Sequence, residues 1–83
     1  TELIPKIAKH WSEQGVLINT VRIGVTNTSS FRAIGTDCVR KREELIPMKR
    51  LAEPTEVAKT ICWLASEDNT YMTGQSVAVS GGE

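Results

Sequence analysis

The sequence predicts an α/β chain of two parallel strands and about three helices, with too little sheet to close a domain by itself. Three observations carry that prediction. The run Val16-Leu17-Ile18-Asn19-Thr20-Val21-Arg22-Ile23 is rich in β-branched residues and stops at Gly24. Such a run suits a pleated strand buried on both faces, which is the habit of parallel sheets. A second short run, Gln75-Ser76-Val77-Ala78-Val79-Ser80, lies between Gly74 and Gly81-Gly82 and reads as another strand. The sequence between the two runs is helical in period, and a strand, helix, strand order makes neighbouring strands parallel.

Each element follows from local chemistry. Leu3, Ile4, Ile7, Ala8 and Trp11 recur at the spacing of one helix face, so an amphipathic helix is expected over residues 1–14. Gly15 can take the left-handed conformation that ends it. The strand expected over 16–23 then opens into Gly24-Val25-Thr26-Asn27-Thr28, rich in backbone and hydroxyl hydrogen-bonding groups. Ligands of open parallel sheets dock beyond the carboxyl ends of the strands, which places a binding function at this exit. Residues 29–50 then contain a short charged helix, capped by Asp37 and carrying an Arg40–Glu44 surface pair. The basic residues Arg40, Lys41, Arg42, Lys49 and Arg50 read first as a solvated face and second as a docking patch for an acidic carrier. Glu53-Pro54-Thr55-Glu56 starts a helix over 54–65, with proline in the first turn and a carboxylate near the positive end of the dipole. Its apolar stripe of Val57, Ala58, Ile61, Cys62, Leu64 and Ala65 makes Cys62 a packing residue. The second strand is expected over 75–80.

Composition narrows the function classes. Ten basic and ten acidic side chains leave no net field to attract nucleic acid or an anionic membrane, and no apolar run approaches the length that spans a bilayer. Neither partner is expected. Cys38 and Cys62 have only His10 for company, far off in sequence, so neither a zinc site nor a Cys/His nucleophile pair is indicated. The thiols read as reduced, and with no basic, apolar leader in Thr1-Glu2-Leu3-Ile4-Pro5-Lys6 a cytoplasmic protein is expected.

Taken together and in order, four stretches resemble the C-terminal third of short-chain dehydrogenases/reductases. They are Gln14 to Thr28, Ile46 to Ala58, Leu64-Ala65-Ser66, and Thr73-Gly74-Gln75 with Gly81-Gly82. The resemblance implies that residues 1–83 are the C-terminal segment of one dinucleotide-binding domain, and that the two strands close a doubly wound, Rossmann-type parallel sheet. It implies that Ile23-Gly24-Val25-Thr26-Asn27-Thr28 is the family's Pro-Gly-x-x-x-Thr loop, which holds the nicotinamide end of NAD or NADP. In that role the backbone of Ile23 and Val25 contacts the carboxamide, Gly24 permits close approach and the Thr28 hydroxyl hydrogen-bonds the cofactor. Ile23 replaces the motif's proline, which keeps the backbone contact and gives up the fixed φ. Ser29, Ser30 and Phe31 begin the substrate lid, which runs over 29–50.

The family's glycine-rich turn, its catalytic Ser and its Tyr-x-x-x-Lys pair have no counterpart in these residues; Tyr71 is followed four positions later by Gln75. None of the proton-transfer groups of that chemistry is therefore expected in these residues, and the chain alone is not expected to catalyse it. Two readings follow. In the first, the parent is an NAD(P)-dependent oxidoreductase interconverting a small-molecule alcohol and carbonyl, a 3-oxoacyl-carrier reductase being one example. This segment then gives nicotinamide contacts, lid and oligomer interface, and is completed by the missing N-terminal part and by further copies in a homo-oligomer. In the second, the chain is a non-catalytic interaction or self-assembly module derived from that fold, using its unpaired strand edge.

Overall fold

A computed structural model describes residues 3–83. The elements run α1 (Leu3–Ser12), β1 (Thr20–Ile23), α2 (Ser29–Arg32), α3 (Thr36–Glu44), α4 (Pro54–Ala65) and β2 (Ser76–Val79). The two strands pair in parallel, with Thr20 opposite Ser76 and Ile23 opposite Val79. The α/β class and the parallel pairing are as expected, but the described residues form four helices where about three were anticipated, because residues 29–50 fold as two.

Helix α1 stops at Ser12, short of residue 14, and residues 1 and 2 of its expected span lie outside the described residues. The chain turns off through Gln14 N–H to Trp11 O (2.9 Å) and Val16 N–H to Trp11 O (3.1 Å), with Gly15 at φ +75°. Strand β1 is half as long as the sequence indicated. Residues 16–19 face the turn before β2, where Gly74 N–H donates to Ile18 O (2.7 Å) and Asn19 Nδ2 donates to Met72 O (2.9 Å). The Asn19 side chain also accepts from Gln75 N–H at 3.1 Å, so a side chain stands in for the ladder there. Nor is β1 buried on both faces: Arg22 and Ile23 are exposed. Strand β2 is Ser76–Val79 instead of 75–80, and its burial alternates residue by residue.

Helix α4 has the expected bounds, Pro54–Ala65, and Glu56 Oε2 accepts from the Glu53 N–H at 2.7 Å. That contact satisfies one of the donors a helix start leaves over. Its apolar stripe is less covered than its pattern implied, for Val57 is buried while Ala58, Ile61, Cys62 and Ala65 are exposed. Cys62 is thus not a packing residue, and Cys38 is exposed as well. Asp37 lies inside the first turn of α3 with Gly35 at the cap, and Arg40 approaches Asp37 (4.0 Å) rather than Glu44.

Among the described residues the buried apolar ones are few: Ala8, Val39, Ile46, Leu51 and Val57. Val39, Ile46 and Leu51 form one cluster, with Val25 and Phe31 packed against it. The radius of gyration is 15.7 Å, against about 12 Å for a compact domain of this length. The elements are therefore spread around a short sheet and do not enclose a closed core, which bears out the expectation of an incomplete domain.

Candidate functional site

The exit of β1 is shaped by its neighbour. Gly24 N–H donates to Val79 O at 2.8 Å, and a Cβ on Gly24 would sit 2.8 Å from the Ser80 Cα and 3.2 Å from Val79 O. Glycine is required here by the backbone of the adjacent strand, a reason the sequence did not disclose. Beyond it, Ala52 N–H donates to Val25 O (2.9 Å) and Asn27 N–H to Ala52 O (2.8 Å), which makes an isolated parallel bridge between Thr26 and Ala52. The Thr26 hydroxyl donates back to Gly24 O at 3.0 Å. Loop residues 24–28 are thereby held in place by main-chain bonds on both sides.

Two polar backbone positions are left facing outward. Thr20 and Gly24 direct their N–H groups to β2, so the alternation of a parallel ladder turns the intervening Ile23 N–H and C=O to the opposite, open edge. The Val25 carbonyl is taken up by Ala52, and among the described residues no hydrogen bond takes up the Val25 N–H. Thr28 is the N-cap of α2, its Oγ1 accepting from Phe31 N–H at 3.2 Å. Its hydroxyl proton stays available to a ligand.

Ile23, Gly24, Val25, Thr26, Thr28 and Phe31, together with Arg42 and Glu83, line one open cavity of about 530 Å³. The structure thus brings together four of the expected cofactor positions, Ile23, Gly24, Val25 and Thr28. Of the expected lid residues, Phe31 lines the cavity, while Ser29 and Ser30 sit exposed on α2 away from it. A second cavity of about 380 Å³ lies across Val25, between Ile46, Met48 and the end of β2.

Arg42 and Glu83 were not singled out by sequence. Arg42 lies in the basic run and Glu83 is 41 residues away, so no local signal joins them. They form an ion pair in which Arg42 Nη2 donates to Glu83 Oε1 at 2.8 Å, while Nη1 lies 2.6 Å from Oε2 outside hydrogen-bonding geometry. The Arg42 hydrogen bond holds the Glu83 carboxyl below the usual carboxylate range. A similar pair joins Arg50 to Glu56 at 2.7 and 3.0 Å, and with the Glu53 N–H it lowers the Glu56 pKa from 4.5 to about 2. Three of the five basic residues expected as a patch therefore face carboxylates, Arg42 and Arg50 closely and Arg40 at 4.0 Å from Asp37. Asn27 ties the loop to its surroundings, accepting from Arg32 Nε and donating to Glu53 Oε1 at 3.2 Å.

The same order of elements is found in known proteins. A family model described as enoyl-(acyl carrier protein) reductase matches residues 2–83. The chain belongs to the short-chain dehydrogenase/reductase family. It is 33% identical over 76 residues to an acetoacetyl-CoA reductase of Acinetobacter sp., covering 92% of this chain and 31% of the relative. The crystal structure of a 3-oxoacyl-[acyl-carrier protein] reductase from Brucella melitensis superposes with a TM-score of 0.91 at 28% identity, over 98% of this chain and 30% of that one. An NADPH-bound short-chain oxidoreductase from Pseudomonas aeruginosa, which has an atypical catalytic centre, superposes with a TM-score of 0.81 at 32% identity, over 98% of this chain and 34% of that one. The chain spans about a third of the length of these relatives. Within this family the fold is the Rossmann-type doubly wound sheet, to which β1 and β2 contribute two adjacent parallel strands.

Among the described residues of this dehydrogenase/reductase chain, no helix is long and apolar enough to cross a membrane.

Proposed function

We propose that the chain is the nicotinamide-facing segment of a cytoplasmic NAD(P)-dependent oxidoreductase that interconverts an alcohol and a carbonyl. One observation carries the reading: Ile23, Val25 and Thr28, which keep an edge-facing backbone, an N–H taken up by no described residue and a hydroxyl proton, line a single cavity at the exit of β1. The Val25 N–H has the polarity to donate to a carboxamide oxygen, and the Ile23 carbonyl to accept from a carboxamide NH₂. The Thr28 hydroxyl donates alongside them while remaining the cap of α2. This donor and acceptor set fits a nicotinamide amide, which when bound supplies or takes up the hydride at the substrate carbon. Phe31 shields one wall of the cavity from water, and residues 29–50 cover the substrate.

The substrate class favoured by the relatives is a short 3-oxoacyl thioester, since acetoacetyl-CoA and 3-oxoacyl-[acyl-carrier protein] reductases are both among them. The proton-transfer groups belong to the preceding part of the same protein, which also covers the open edge of β1. Ile61 and Trp63, exposed at 40% and 45% on α4, support a homo-oligomer in which that helix is covered.

The test is nucleotide oxidation by the full-length protein, with acetoacetyl-CoA as substrate and NADH and NADPH compared. Turnover with either nucleotide is the expected result. Failure of the full-length protein to bind either nucleotide by titration calorimetry would refute the reading.

A further inference from the structure

Two segments, α3 and the turn after β2, each bring a charged side chain to the cavity. Arg42 stands on α3, which begins after Gly35, a residue at φ +105° with nothing near its Cβ position. Glu83 follows the glycine turn after β2, and that turn is packed hard against the end of the lid. A Cβ on Gly81 would lie 2.9 Å from Ile46 Cγ2, one on Gly82 would lie 3.1 Å from Pro47 Cβ, and Met48 N–H donates to Gly81 O at 3.1 Å. The carboxylate is thus presented from a fixed support, whereas α3 enters through an open glycine. The ion pair, one hydrogen bond of 2.8 Å with a second N···O approach of 2.6 Å, spans from one to the other, with both side chains about one-third exposed. A hydrogen bond between a guanidinium and a carboxylate is charge-assisted at both ends and so is shorter and stronger than a neutral one.

We propose that Arg42 and Glu83 form a clasp holding α3 across the cavity, so that Arg42 is a positioning residue for the lid and its release sets how fast a ligand leaves. The first half rests on geometry alone; the second rests on the nicotinamide reading above. The clasp differs from the apolar contacts beneath it in being switchable by charge, since Val39, Ile46 and Leu51 hold the base of α3 whatever the state of the pair.

The experiment is amide hydrogen exchange on the full-length protein without ligand, comparing α3 with α4. Arg42→Gln and Glu83→Gln each speed exchange in α3 about two- to fivefold, the scale of an exposed, well-aligned pair. The reciprocal exchange of charges, Arg42→Glu with Glu83→Arg, restores the slower rate, which a merely space-filling role for Arg42 would not do. Raising the salt concentration reproduces the effect of the single variants in the wild type and leaves the variants unchanged. Unaltered α3 exchange in both single variants overturns the clasp, as does equal acceleration in α4, which signals general destabilisation. The release half is read by stopped-flow dissociation of NADPH or NADH. Off-rates raised by the same factor as α3 exchange support it, and unchanged off-rates overturn it. Should the wild type bind neither nucleotide, the reading of the cavity fails and the release half with it, while exchange still decides the clasp.

Discussion

Replacing Gly24 with alanine tests whether the strand exit is shaped by the neighbouring backbone. The added Cβ would lie 2.8 Å from the Ser80 Cα, where ordinary contact begins at 3.4 Å, so the two strand ends must part by about 0.6 Å. The Gly24 N–H to Val79 O bond, now 2.8 Å, is stretched by that movement. Overpacking of this kind costs about 1–3 kcal/mol and a lost hydrogen bond about 1 kcal/mol, so a loss of about 2–3 kcal/mol is expected. Urea unfolding of the full-length protein measures it, with Gly15→Ala for comparison. Gly15 has open space at its Cβ position but φ +75°, so its substitution costs only backbone strain, about 1 kcal/mol. Removing the Ser80 side chain in a Gly24→Ala, Ser80→Gly double variant should recover only a small part of the loss, because the nearest atom is main chain. A Gly24→Ala loss below about 0.5 kcal/mol, or full rescue by Ser80→Gly, would refute the steric account.

Three further outcomes are expected. Asn69 is buried and bonds Leu64 O, Met72 O and Met72 N–H, so Asn69→Ala should lower stability by about 2 kcal/mol in the same urea assay through the backbone groups it orphans. Thr28→Ala removes the cap of α2 and should cost about 1 kcal/mol, whereas Thr28→Ser keeps the oxygen that accepts from Phe31 N–H and should retain both stability and nucleotide affinity by calorimetry. Glu56 has a pKa depressed from 4.5 to about 2, so its stabilising contribution is complete above pH 4.5 and is lost as pH falls through about 2. Glu56→Gln should therefore be less stable than wild type at neutral pH, with the difference in urea midpoint closing between pH 4.5 and 2; because the pair faces water, the difference is small.

What the sequence disclosed was whatever local chemistry determines. Helix α4 was legible to the residue because Pro54 and Glu56 mark its start within one turn. The loop after β1 was marked by a β-branched run that stops at Gly24, and Ile23, Gly24, Val25 and Thr28 do line one cavity. Properties that depend on a distant partner were not legible. The length of β1 is set by the four residues of β2 opposite it, so residues 16–19 looked like strand and are not. Cys62 looked packed because a stripe shows which face is apolar and not whether anything lies upon it. The Arg42–Glu83 contact spans 41 residues and depends on how the glycine turn after β2 lands against the lid.

The bridge between Thr26 and Ala52 has a consequence for how such a chain diversifies. Two main-chain bonds, to Val25 O and Ala52 O, tie a neck at which the strand exit and the approach to α4 meet side by side. The excursion beyond that neck carries its own apolar knot in Val39, Ile46 and Leu51. Its length and side chains can be rewritten while the spacing between β1 and α4 stays as it was, provided that its two ends and the places where Arg42 and residues 46–48 meet the turn after β2 are matched.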